Sequence, residues 1–215
     1  MMHPLVAREV LGFKEISYRR VISAAPMNVE PRIFYTNRLL AKDRTHTVLL
    51  AGSVWKHYPI RDRMTKLMQK IHGSHHRAHP GWYNEEIAKQ EKSLDRDTRA
   101  ANRLQQVSSY ADDVKASRIC VTDTSSMRYS FQKLTEFGMG GCLVISDIPY
   151  DRQSWFREWV VEVTQSTSDE EVVSIINYWL NHEEERVARV RKSQEMIMAA
   201  TTFDHHIYDL VGFCF

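Results

Sequence analysis

The feature that most constrains this chain is an alternation of short apolar runs with stretches of helical periodicity. The runs cover residues 47–51, 118–122, 142–146 and 160–163. Each is short, rich in β-branched side chains and without strict in–out alternation, the pattern of a strand buried on both faces of a parallel sheet. A weaker candidate strand lies at residues 75–79. Between the runs, Ile60, Met64, Leu67, Met68 and Ile71 fall on one helix face, as do Leu104, Val107, Ala111 and Val114. A third set, Val172, Val173, Ile176, Trp179 and Leu180, follows the capping-box pair Ser168 and Glu171. Asn181 and Glu184 read as the N-cap of a further helix through Val187, Val190 and Ile197. Strands alternating with helices predict an α/β fold, a Rossmann-like doubly wound parallel sheet with extra C-terminal helices. Such sheets hold ligands beyond the carboxyl ends of their strands.

Composition narrows the partners. An apolar fraction of 43% over 215 residues supplies a core, and a net charge of +2 leaves no electrostatic footprint for nucleic acid. No apolar stretch approaches the roughly 20 residues of a membrane span. The first twenty residues carry Arg8, Glu9, Lys14, Glu15, Arg19 and Arg20, unlike a signal peptide. Cys120, Cys142 and Cys214 are odd in number, and two sit in apolar runs, which reads as free buried thiols in a cytoplasmic setting. Residues 1–45 are irregular and read as a lead-in or linker remnant, with the domain at 46–215. The charged stretch 84–100 reads as an exposed helix or excursion. His72, His75, His76 and His79 lie close in sequence, but a strand or loop does not make that spacing converge, so no metal site is expected. Asp95-Arg96-Asp97 reads as a solvated helix face and Asp204-His205-His206 as surface.

Three segments can carry chemistry. After the first run, Gly52 leads to Lys56, Tyr58, Pro59 and Arg61, where a helix opening at Pro59 offers amides and a guanidinium to a phosphate. A single glycine is a weak signal, and the same loop reads more readily as an ordinary strand–helix connection with solvated basic side chains. After the second run, Ser125, Ser126 and Arg128 suit diphosphate recognition, or else cap the next helix. The third segment places Lys133 and Glu136 on one helix face, then Gly138, the terminating pair Gly140-Gly141 and the strand at 142–146. A carboxylate there can take the hydroxyls of a ribose and a lysine can neutralise a phosphate; the alternative is a surface i,i+3 ion pair.

This third segment resembles the C-terminal, donor-binding lobe of the group-one, GT-B-fold glycosyltransferases: a basic residue, a glutamate on a short helix, a glycine turn and an apolar strand. Gly52, Tyr58-Pro59 and Arg61 resemble the family's first loop, and His79-Pro80-Gly81-Trp82-Tyr83 resembles its histidine-proline-glycine-tyrosine turn. The resemblance covers residues 46–211 and implies transfer of a sugar from a nucleoside-diphosphate sugar to an acceptor it does not identify. It places Glu136 at the ribose, with Gly52, Arg61, Lys133, Ser125, Ser126 and Arg128 near base or diphosphate. It calls for no cofactor beyond the donor substrate. Retaining members often carry two glutamates with seven residues between them; here Arg128 stands at the earlier position, which favours a phosphate role there. The family's acceptor lobe has no counterpart in the 45 residues before the first strong run, so it is expected to be missing, supplied by a partner chain or homo-oligomer, or lost by truncation. The alternative is a non-catalytic domain that binds a nucleotide or a protein partner.

Overall fold

The computed structural model describes residues 28–54, 57–78, 89, 92–126 and 128–202. Five strands, β1 (His46–Gly52), β2 (His75–Ala78), β3 (Ser117–Val121), β4 (Leu143–Ser146) and β5 (Val161–Glu162), form one sheet in the order β2-β1-β3-β4-β5. Every neighbouring pair is parallel. The helices are α1 (Pro31–Phe34), α2 (Pro59–Leu67), α3 (Arg96–Lys115), α4 (Gln132–Met139), α5 (Gln153–Arg157), α6 (Asp169–Asn181) and α7 (Glu183–Ala200).

The apolar runs are strands because both faces of the sheet are covered. Val48, Leu50, Ile119, Val121, Leu143 and Ile145 point to one face, where α2 (Ile60, Met64) and α6 (Val172, Ile176) pack. Leu49, Ala51, Cys120 and Val144 point to the other, against α3 (Ala111, Val114) and α4 (Leu134, Phe137). A large apolar side chain buried in this way contributes roughly 1.5–3 kcal/mol, so two filled faces fix the strand register. The chain runs from β1 to β2 on one side and then returns to place β3 on the other. The order therefore reverses between β1 and β3, and the crevice opens beyond Gly52 and Val121.

Several expectations are refined. The capping box is formed as read, with Ser168 and Glu171 bonding reciprocally. The next N-cap is His182 rather than Asn181, because α6 runs through Asn181 and the chain turns only one residue later. Asp95 caps α3 by accepting from the amides of Asp97 and Thr98, so the acidic triplet begins a helix. Residues 28–45, read as a lead-in, bury Val29, Phe34, Leu39 and Arg44 in the domain, and Val29 bridges to Thr202. Cys120 and Cys142 are not free thiols: a disulfide joins Cys120 of β3 to Cys142, the residue just before β4. Parallel pairing makes neighbours of two residues 22 apart in sequence, and the reducing setting inferred from free thiols loses that support. Among the described residues, no helix is long and apolar enough to cross a membrane.

Candidate functional site

Helix α4 positions the site, and its placement is set by α7. Gly138 lies so close to α7 that an added Cβ would stand 2.5 Å from Ile197 Cδ1 and 3.2 Å from the Trp159 ring. The glycine thus serves a close approach to the helix α7. Ser193 Oγ donates to the Gly138 carbonyl, and Gln194 Nε2 donates to the carbonyls of Met139 and Thr36. Gly140 ends α4, and Gly141 turns the chain into β4 at φ 78°. These contacts aim the opposite face of α4, with Lys133 and Glu136, at the carboxyl end of β1.

Gly52 closes β1 at φ 109°, a conformation that favours glycine. A Cβ there would stand 2.8 Å from Arg61 Nη1 and 2.9 Å from Lys133 Nζ. The missing side chain is what lets two cations meet at the strand end. A cavity of about 870 Å³ opens here. Its polar floor includes Gly52, Arg77, Lys133 and Glu136, and its apolar wall is made by Phe34, Leu104, Val107 and Tyr110. Leu104 and Val107 were expected on the buried face of their helix with Ala111 and Val114. Instead they are 59% and 37% exposed, because α3 outruns the sheet at its N-terminal end and its upper turns line the cavity.

Burial sets the electrostatics. It lowers the Lys133 ammonium from its ordinary 10.5 to about 8; Glu136 pulls it up, while Arg61 and Arg77 push it further down. Burial raises the Glu136 carboxyl, opposed by Lys133 and by the Tyr110 hydroxyl beside it. Burial and the Glu136 charge push the Tyr110 phenol well up. Lys133 Nζ also lies 5.3 Å from the centre of the Tyr110 ring. Lys133, Glu136 and Tyr110 are therefore one coupled group rather than a solvated i,i+3 pair.

The other residues singled out in the sequence are held more firmly. Arg61 is buried, with Nε 2.7 Å from Asp123 Oδ1, Nη1 donating to the Ser53 carbonyl and its guanidinium 3.6 Å from the Tyr58 ring centre. Asp123 Oδ2 accepts from the amides of Ile60 and Arg61 at 3.0 and 3.1 Å. The N-terminus of α2, read from the sequence as a phosphate seat, is thus occupied by a carboxylate of the chain itself. The N-cap of α4, Phe131, makes no side-chain capping bond. Ser126 donates its amide to the His57 carbonyl, and Ser125 and Arg128 adopt positive φ (65° and 49°) in the loop after β3. Arg128 Nη2 donates to the Ile148 carbonyl at 2.8 Å, its Nε stands 3.7 Å from Asp147, and its guanidinium lies 4.5 Å from the Tyr150 ring centre. Ser125, Ser126 and Arg128 thus order the loop between β3 and α4, whereas Gly52, Lys133 and Glu136 line the cavity and Arg61 lies against Gly52 without lining it.

Sequence reasoning missed Asp123, Arg77 and Tyr110. Asp123 directly follows the second apolar run and carried a usable signal: a carboxylate one loop away from an uncapped helix start. Arg77 and Tyr110 had none, because their roles depend on β2 and α3 meeting at Asp113, the partner of Arg77. The histidine-proline-glycine turn at 79–83, Lys56, and the Asp204-His205-His206 segment lie outside the described residues.

The glycosyl transferase-like family model matches residues 37–212. The chain belongs to that family. Solved structures agree on the fold. The C-terminal domain of a group 1 glycosyl transferase, LpcC from Francisella tularensis, matches with TM-score 0.54 and 11% identity over 82% of this chain and 100% of that one. TarM matches with TM-score 0.56 and 14% identity over 86% of this chain and 37% of that one. Sucrose-phosphate synthase from Thermosynechococcus elongatus gives 0.55 and 13%, over 88% and 52%. The chain thus has the fold of the C-terminal lobe of GT-B enzymes and spans about a third to a half of the longer ones. No curated protein matches by sequence.

Proposed function

We propose that this chain is the donor-binding lobe of a glycosyltransferase and holds a nucleoside-diphosphate sugar in the cavity beyond β1. The observation that carries the reading is the convergence of Glu136, Lys133 and Gly52 at the switch point of the sheet, beside a cavity of about 870 Å³. In this reading the Glu136 carboxylate accepts from the ribose hydroxyls. The apolar wall of Phe34, Leu104, Val107 and Tyr110 takes the base. The diphosphate lies against Lys133 and the amides at the start of α4, a helix end that favours anions. Asp123 reserves the start of α2, which directs the phosphate to α4. The lobe's part in catalysis is then to position the donor and to stabilise the leaving diphosphate with Lys133 and the α4 amides.

The test is calorimetric titration of the full chain with nucleosides, nucleoside diphosphates and their sugar conjugates. A diphosphate is expected to bind at least about tenfold more tightly than its nucleoside, since each charge-assisted hydrogen bond contributes roughly 1.5–3 kcal/mol. If no nucleotide binds, the reading fails.

A pH dependence follows from Lys133. Its folded pKa lies below the unfolded one, so the cost of burying the cation is fully present below about pH 8 and is relieved as pH rises from there to 10.5. This group alone makes the free fold more stable across that window. Anion binding runs the other way. Affinity for a nucleoside diphosphate is expected to fall as pH rises through about 8, and Lys133→Met should bind more weakly at neutral pH with that fall removed. An unchanged pH profile in the variant would rule out Lys133 as the phosphate cation.

A further inference from the structure

At the end of the strands away from the cavity, three side chains from three elements meet. His46 opens β1, His75 opens the edge strand β2, and Asp113 lies in the last turn of α3. The two imidazoles are stacked with ring centroids 4.6 Å apart and planes 14° from parallel. His75 Nε2 stands 3.7 Å from Asp113 Oδ2, and one ligand atom from each residue lies within 4.8 Å of the other two. All three side chains are half-buried, enough to limit competition from water without closing off entry.

We propose that His46, His75 and Asp113 bind a borderline divalent cation, with zinc as the fitting ion. Two imidazole nitrogens and a carboxylate oxygen are a donor set that suits zinc and leaves a position for water. Tetrahedral ligation at ordinary bond lengths brings ligand atoms to about 3.4 Å from one another. The closure needed is therefore about an ångström, and His75 makes it from β2, which among the described residues is an edge strand. Arg77 donates to Asp113 and to Ser109 Oγ, which holds the carboxylate in a fixed orientation, as neighbours of ligating carboxylates do. The local cluster of histidines in the sequence contributes only His75; His72 and His76 are exposed, and the remaining ligands come from positions far away in the chain.

The experiment is zinc titration of the full chain near neutral pH against a chromophoric competitor. Parallel titrations use His46→Ala, His75→Ala and the controls His72→Ala and His76→Ala, each checked for folding by circular dichroism. One saturable site is expected in the wild type, weakened at least about tenfold in the first two variants and unchanged in the controls. Zinc should also raise the unfolding midpoint of the wild type and not that of His75→Ala. Absence of a saturable site in the wild type overturns the proposal. So does a folded His75→Ala that keeps wild-type affinity, or a loss confined to the control variants. Nucleotide binding plays no part in these readouts, so the donor-site reading stands or falls separately.

Discussion

Asp123→Ala is expected to destabilise the domain by about 3–5 kcal/mol, which lowers the unfolding midpoint by roughly 6–20 °C for a chain of this size. The carboxylate has two duties, and the substitution removes both. It is 1% exposed and pairs with an Arg61 side chain that is itself only 4% exposed, so its loss leaves an uncompensated guanidinium in the interior. It also receives the first free amides of α2, whose orphaned donors cost about a further 1 kcal/mol. Asp123→Asn keeps the shape and part of the hydrogen bonding, and should fall between the wild type and alanine. Denaturant unfolding of the three proteins checks this. A loss below about 1 kcal/mol for the alanine variant would mean that Arg61 finds water or another partner, and that the pair does not organise the loop after β1.

Glu136→Ala is expected to weaken nucleoside-diphosphate binding by roughly 10- to 150-fold, the equivalent of one or two hydrogen bonds to a charged group. The variant should remain folded, as circular dichroism will check, because truncation opens onto a cavity and the buried Lys133, left without this carboxylate, can shed its proton. Glu136 also pulls the Lys133 pKa upward, so its removal weakens the phosphate cation as well. A cycle separates the two effects. If the carboxylate reads the ribose, a dideoxynucleotide should bind the wild type weakly and lose little more in Glu136→Ala. If the deoxygenated ligand loses as much as the ribonucleotide, the carboxylate acts through Lys133 and not on the sugar.

Much of the fold is legible in the sequence. The apolar runs around Leu49, Cys120 and Val144 are strands, the glycine pair at 140–141 ends α4, and Ser168 caps α6. These features are local: burial on both faces, a left-handed turn and a capping hydrogen bond each leave their mark within a few residues. The candidate site was legible in part. Lys133 and Glu136 share a helix face at the cavity as their spacing required, and Gly52 ends the strand beside them. Leu104 and Val107 misled, because a helical stripe records apolarity and not what lies opposite it.

The sequence by itself therefore determined the alternating elements, the parallel doubly covered sheet and the helix that presents Lys133 and Glu136. It did so because periodicity and turn chemistry are properties of neighbouring residues. Only the tertiary structure decided that Asp123 takes the start of α2, that burial turns Lys133, Glu136 and Tyr110 into one coupled group, and that His46, His75 and Asp113 meet. Each of these depends on residues from separate elements coming within a few ångströms in a low-dielectric interior, where contact and desolvation, not spacing along the chain, set the energies.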